Sequence, residues 1–364
     1  MAWIVTRRRP TRLPRLTAMT PGPTTRSLSR ATTDRDALRR SRPGLLEELA
    51  ADPATRLVLV DCRGRVSLDA PAQFADLPQH GLTPFHEPDP QTVLELAPVS
   101  AADVNLTGLD TYYLGCERDP SAEQAPTCWL AVVLPEDAPV TDAEGAARPH
   151  ADLEALVARY PLSALRAVGA QLSARAAGLA TPAVALAAWH ASHRFCPACG
   201  ARTTSAEAGW AQRCTGCGRA SFPRTDPAVI TAVTDDDDRI VLVHGATWEA
   251  GRFSTIAGFV EAGECAEAAV MREVAEETGL RVASVEHIAT QPWPFPRSLM
   301  LGYRARLVPG ERLAHPDGEE VTDVRVLSRE ALVAQVADGR LVLPGPTSIA
   351  RMLIEDWYGG PIGR

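Results

Sequence analysis

"GFVEAGECAEAAVMREVAEETGL", residues 258–280, decides how the rest of this chain is read. Glu273, Glu276 and Glu277 are spaced i, i+3 and i+4, which places all three on one face of a helix. Val270 and Val274 form the other face and predict burial against a sheet. Gly258 and Gly279 bracket the segment as an expected turn and helix stop. Like charges this close repel, so the helix is either a solvated acidic surface or is built around something cationic. A solvated surface leaves unexplained why the glycines, Glu264 and Arg272 all stand at fixed offsets. Hard divalent cations, Mg²⁺ or Mn²⁺, favour carboxylate oxygens and keep bound waters.

Upstream, "FCPACGARTTSAEAGWAQRCTGCGRASFPR" (195–224) carries Cys196, Cys199, Cys214 and Cys217, two CxxC knuckles separated by fourteen residues. Four thiolates make a closed tetrahedral site, which predicts one structural zinc ion rather than catalysis or redox exchange. His190 and His193 flank the ribbon and are expected to cap a helix instead of binding metal.

Downstream, "TQPWPFPRSLM" (290–300) packs three prolines, a Trp and a Phe between Gln291 and Ser298. Proline removes backbone donors and forces extended geometry on the residue before it, so no helix forms here and a central strand is disfavoured. The stretch is either a rigid loop whose rings cap a core or a stiff platform for a flat ligand.

Composition bounds the classes. A chain of 364 residues with 45% hydrophobic and 23% charged residues is an ordinary globular protein of two or three domains. No apolar run approaches a membrane span. The sequence contains no Lys, and residues 1–44 hold eleven Arg against Asp34 and Asp36. That balance of +9 leaves −17 on the remainder of a chain whose net charge is −8. The acidic body argues against a general nucleic-acid binder. Cys62, Cys116, Cys128 and Cys265 are scattered and fit reduced cytosolic thiols, which predicts a cytoplasmic protein.

The expected organisation is α+β. Residues 1–44 read as a basic, disordered leader, with Met19 an alternative start, and 45–163 as an N-terminal α+β domain. A helical linker over 164–193 precedes the ribbon at 194–222, and 223–364 forms the last domain. Within 151–192 the spacing predicts two helices interrupted at Pro182. No internal repeat is detected.

Residues 258–280 resemble a complete Nudix box, G-x5-E-x7-R-E-U-x-E-E-x-G-U with U aliphatic. The Pro-aromatic stretch closely resembles the Q-P-W-P-F-P-x-S signature of bacterial NADH pyrophosphatases, the Nudix group that includes NAD-capped RNA hydrolases. A four-Cys ribbon before the box and the following "FPRTDP" are similar to the same group, over roughly residues 45–357. The resemblance implies an α/β/α sandwich around a mixed sheet, in which "PAVITAVTDDDDRIVLVHG" (227–245) is a strand, an acidic turn and a strand. It implies hydrolysis of the diphosphate of NADH, and more slowly NAD⁺, to AMP and nicotinamide mononucleotide. Removal of NAD caps from RNA 5′ ends uses the same chemistry, and a homodimer is implied.

Site residues carry over individually. Glu273, Glu276 and Glu277 are implied to hold Mg²⁺ or Mn²⁺, with the Ala257 carbonyl and Glu320 completing the set and Glu319 the less favoured neighbour. Glu277 is the expected base, and Arg272 is expected to orient glutamate. Gln291, Pro292, Trp293, Pro294, Phe295, Pro296, Arg297 and Ser298 are the expected substrate clamp. Phe259, Phe222, Ala350 and Arg166 are further substrate contacts; Phe222 stands where the group often has Tyr, and Gly209 where some relatives have an acidic residue. Two other readings stay open on sequence: a broader Nudix hydrolase of ADP-ribose or dinucleoside polyphosphates, and an idle Nudix fold acting as a regulator.

Overall fold

A computed structural model describes residues 28–71, 74, 92–117, 125–135, 151–312 and 314–363. In chain order the first part comprises α1 (Leu45–Ala51), β1 (Arg56–Val60), β2 (Arg65–Asp69), β3 (Glu95–Leu96), β4 (Val99–Ser100), β5 (Thr111–Glu117) and β6 (Thr127–Val133). It continues with α2 (Ala151–Arg159), β7 (Leu162–Ala164), α3 (Leu165–Val168) and α4 (Ala174–Ser192). The strands form one mixed sheet in which β1 runs parallel to β6 and antiparallel to β2. Successive residues of β1 alternate between two cores, as the period of two requires. Val58 and Val60 face α4, while Leu57 and Leu59 join the cluster that holds Leu45, Leu49 and Leu153.

The ribbon consists of β8 (Thr203–Ala206), β9 (Ala211–Cys214) and β10 (Ala220–Ser221), a three-stranded antiparallel sheet. The last part holds β11 (Asp226–Thr234), β12 (Ile240–Gly245), β13 (Ile256–Phe259), α5 (Ala266–Thr278), β14 (Val282–Trp293), β15 (Ser298–Leu307), β16 (Val321–Leu327), α6 (Arg329–Ala337) and α7 (Ile349–Tyr358). Its six-stranded mixed sheet has the order β14-β15-β11-β12-β16, with β13 on β11. Val241 and Val243 pack toward Val270 and Val274 of α5, while Ile240 and Leu242 pack toward Leu353, Ile354 and Trp357 of α7. The expected α/β/α sandwich is present, and both valines of α5 are fully buried.

Four sequence expectations are corrected. Residues 1–27 lie outside the described residues, but 28–44 are not a leader. Leu28 is buried in the α4 core, Asp34 bridges Cys116 through two backbone hydrogen bonds of 2.9 Å, and residues 37–39 form a 3₁₀ turn. The segment 164–193 is no linker, because α4 fills the core against β1, β2 and β5. Nor does Pro182 divide it: α4 runs continuously from Ala174 to Ser192. Burial of this helix against the sheet on one side and residues 28–31 on the other outweighs the missing proline donor.

The fourth correction concerns repeats. At the β1–β2 turn the Asp61 carboxylate accepts from the Arg63 and Arg65 amides and from Arg65 Nε. At the β11–β12 turn Asp235 accepts from the Asp237 and Arg239 amides and from Arg239 Nε. In each domain the first strand of this hairpin also pairs in parallel with a later one, β6 or β15. The two domains repeat one plan, which their divergent sequences conceal.

Candidate active site

Helix α5 ends on Gly279, whose φ of 69° is the left-handed stop expected from sequence. Gly258, expected in a turn, lies in β13 instead. It is small because α5 packs there: a Cβ would fall 1.9 Å from Glu273 Oε1. The box therefore joins a strand and a helix so closely that a carboxylate fills a side chain's place.

Arg272 organises the carboxylates. Its Nε and Nη2 grip Glu264 at 3.0 and 2.9 Å, its Nη1 reaches Glu273 at 2.8 Å and Glu276 at 2.9 Å, and Nη2 also donates to the Phe259 carbonyl. A planar, always-charged fork is the side chain that can serve so many acceptors. The Arg272 pair holds the Glu264 carboxyl below its ordinary value.

Glu277 is different. It is 5% exposed and has no arginine partner among the described residues. Burial pushes its pKa up to about 8, assisted by repulsion from Glu273, Glu320 and Asp317. Burial also raises Glu273, against the pull of Arg272. Glu320 stands on the exposed turn before β16, where Asp317 Oδ1 accepts from the amides of Glu319, Glu320 and Val321. Asp317 was not singled out from sequence; the Asp-Gly turn signal was its only mark. Glu273, Glu277 and Glu320 are hard oxygen donors near enough to repel one another, the donor type a divalent cation takes, while among the described residues no three of the box carboxylates bring oxygens within 4.8 Å of one another.

The four cysteines also converge. Cys196 Sγ lies 3.8 Å from Cys217 Sγ, Cys199 Sγ lies 3.3 Å from Cys214 Sγ, and all four sulfurs fall within 4.8 Å of one another. Tetrahedral zinc at ~2.3 Å from each sulfur implies S···S distances near ~3.8 Å, so the residues fit it. Amides of Gly216 and Cys217 donate to Cys214 Sγ at 3.3 Å, and the Cys214 thiol falls to about 6. His193 is the C-cap of α4, as expected. His190 stacks on Tyr112 at 4.3 Å and bonds Gly209 and Gln212, docking the ribbon on the first domain.

The Pro-aromatic stretch is the tip of the β14–β15 hairpin, on an edge strand that tolerates proline. Trp293 and Phe295 meet edge-on at 4.9 Å, the Arg166 guanidinium sits 5.3 Å from the Trp293 ring, and both rings pack on the α4 core. The rings thus cap a core while remaining partly exposed. Arg297 and Arg224 share Asp226 at 2.6 and 2.9 Å.

Two expected contacts are sealed. Gln291 is 0% exposed; its amide donates to the Thr347 carbonyl at 2.8 Å and accepts from the Ile349 N–H at 2.7 Å. Ala350 is 2% exposed and its N–H is occupied by Ser348 Oγ, the N-cap of α7. Both serve the start of α7 rather than an open surface. Phe222 and Phe259 are exposed, at 59% and 58%.

Comparison with known proteins follows this layout. Residues 56–189 match the NADH pyrophosphatase-like rudimentary NUDIX domain, 191–222 the NADH pyrophosphatase zinc ribbon domain and 224–344 the NUDIX domain. The chain belongs to the NADH pyrophosphatase group of the Nudix family. The first match agrees with the repeated plan of the two domains, and the second with zinc as the ribbon's metal. The chain is 43% identical over 201 residues to the NAD-capped RNA hydrolase NudC of Mycobacterium bovis, covering 53% of this chain and 64% of that protein. It is 41% identical over 167 residues to NudC of Pseudomonas aeruginosa, covering 46% and 56% respectively. It is 37% identical over 199 residues to the human NAD-capped RNA hydrolase NUDT12, covering 51% and 43%. The match thus spans less than two thirds of each of these relatives. Among the described residues no helix is long and apolar enough to cross a membrane.

Proposed function

We propose that this Nudix protein hydrolyses the diphosphate of NADH and NAD⁺ to AMP and nicotinamide mononucleotide, and removes NAD caps from RNA 5′ ends. The observation that carries the reading is Glu277: a buried carboxylate with no cationic partner among the described residues, beside Glu273. Glu273, Glu276, Glu277, Glu320 and the Ala257 carbonyl would hold Mg²⁺ or Mn²⁺. A divalent cation there neutralises the diphosphate and makes water easier to deprotonate. Glu277 would take that proton on its carboxylate. Arg272 is a positioning residue that holds Glu264, Glu273 and Glu276 in register.

Specificity is assigned to the hairpin tip. Ser298 at the tip offers a hydroxyl, Phe259 on β13 and Phe222 after β10 add two exposed rings, and Gln291 acts through the α7 start it pins. The protein works as a cytoplasmic homodimer in this reading. The test is a comparison of initial rates for NADH, NAD⁺, ADP-ribose and NAD-capped RNA with Mg²⁺ and with Mn²⁺. NADH or capped RNA should lead ADP-ribose by at least about tenfold, about 1.4 kcal/mol of transition-state binding. Equal rates would mean that the nicotinamide end goes unread and the protein is a broader Nudix hydrolase.

A further inference from the structure

Four cysteines lie outside the ribbon, and two of them stand directly opposite each other. Cys116 of β5 and Cys128 of β6 are partners across an antiparallel pair, so both side chains project from one face of the sheet. That face is covered by α1, where the two are 6% and 7% exposed beside Leu45, Leu49 and Leu130. The N–H and C=O of Cys116 are both spent on Asp34, at 2.9 Å each, and an antiparallel strand turns both groups of a residue the same way. Neither group is left for β6. Cys116 and Cys128 are therefore a non-hydrogen-bonded pair, the kind with Cα atoms about 4.5 Å apart and side chains closest. A disulfide bridges Cα separations of about 4.4–6.8 Å, so this placement suits one.

The two sulfurs are not equivalent. Arg39 Nη1 lies 3.7 Å from Cys128 Sγ. The Tyr113 hydroxyl, which donates to Asp36 Oδ2 at 2.8 Å, lies 4.0 Å from the same sulfur. A guanidinium beside a thiol favours the thiolate. Burial acts the other way on Cys116 and pushes its thiol up.

We infer that Cys116 and Cys128 form a reversible disulfide, with Cys128 the attacking thiolate and Cys116 the thiol that closes the bridge. The oxidant is a hydroperoxide, small enough for sulfurs this buried. The Cys128 thiolate attacks one peroxide oxygen and the O–O bond breaks. Cys128 becomes a sulfenic acid, and the departing hydroxide takes up a proton to become water. The Cys116 sulfur, giving up its proton, then displaces the sulfenic hydroxyl as a second water and forms the S–S bond. Two thiols and one hydrogen peroxide thus give one disulfide and two waters, and an external dithiol reverses the change by exchange. Asp34 holds the other edge of Cys116, so the bridge ties β6 through β5 to the segment that precedes α1.

The full zinc-loaded chain is treated with hydrogen peroxide, alkylated in denaturant and digested without reductant for mass spectrometry. Peptides joined through Cys116 and Cys128 should appear, and should separate on treatment with dithiothreitol. Oxidation should raise the melting temperature of the wild type by several degrees and leave that of Cys116→Ser where it was. In Cys116→Ser, Cys128 should stop at the sulfenic acid and be trapped by dimedone. Arg39→Gln should slow bridge formation severalfold, while Arg39→Lys, which keeps the cation, should retain most of the rate. Cys116 and Cys128 still alkylated in full when Cys62 and Cys265 have been oxidised, or a bridge from either to a different cysteine, overturns the inference.

Discussion

The Glu273 carboxylate lies where Gly258 would carry a side chain, with Oε1 1.9 Å from the position of the missing Cβ. The contact joins the middle of β13 to α5. Gly258→Ala should therefore act as a site mutation. Overpacking of this kind costs ~1–3 kcal/mol, and relief requires moving Glu273 or the helix. Thermal melts should show that loss, and the Mg²⁺ or Mn²⁺ concentration for half-maximal rate should rise.

Glu277→Gln should cut kcat by ~10²–10⁴-fold, the span of general acid–base catalysis. It should also change stability in a pH-dependent way. Glu277 titrates at about 8 when folded against an ordinary 4.5, so the folded state holds the proton more tightly. That stabilisation is complete below the unfolded value and is lost as pH rises through about 8. Metal-free wild type should weaken across this window in denaturant titrations, whereas Glu277→Gln should weaken less. Divalent cation, which replaces the proton, should restore the wild type at alkaline pH.

Arg272→Lys keeps the charge but cannot hold Glu264 in a two-point grip while also serving Glu273, Glu276 and the Phe259 carbonyl. A fall in kcat of about tenfold or more, with KM for NADH nearly constant, is the expected signature of a positioning residue. A large rise in KM at unchanged kcat would place Arg272 on the substrate instead.

Gln291→Leu should be a stability mutation first. It strands the Ile349 N–H and the Thr347 carbonyl, at a cost of ~1–3 kcal/mol for each buried group. Denaturant midpoints should fall accordingly, and Gln291→Glu, which cannot donate to Thr347 once ionised, should fall nearly as far at alkaline pH.

Serine at Cys214 removes the thiolate that two backbone amides stabilise. Zinc content measured on the purified protein should drop, and the melting temperature with it, because the ribbon docks on Tyr112 through His190. The divalent-cation dependence of hydrolysis in the fraction that stays folded should be unchanged.

What the sequence made legible was local. The four cysteines, the α5 face and the Gly279 stop each depend on neighbours within a few turns, so spacing alone exposes them. The part Gln291 plays in holding the start of α7 was not legible, because its partners, Thr347 and Ile349, lie far along the chain and nothing near it announces them. Residues 28–44 read as a leader because arginine dominates, whereas Leu28 and Asp34 are fixed by α4 and Cys116. Pro182 predicted a break that tertiary burial of α4 overrides. The duplication went unseen because what is conserved between the halves is a hydrogen-bonding pattern carried by one Asp and one Arg.

That shared pattern has a kinetic meaning. In each half the Asp–Arg clasp closes between residues four apart, Asp61 with Arg65 and Asp235 with Arg239. The parallel pairings Val60–Val133 and Thr234–Arg306 must instead bring together strands far apart along the chain. Loop-closure entropy makes such pairings slow, and local hairpins close orders of magnitude sooner. The chain thus carries two early nuclei of the same design, each waiting on a distant strand, and each half can start to fold without the other.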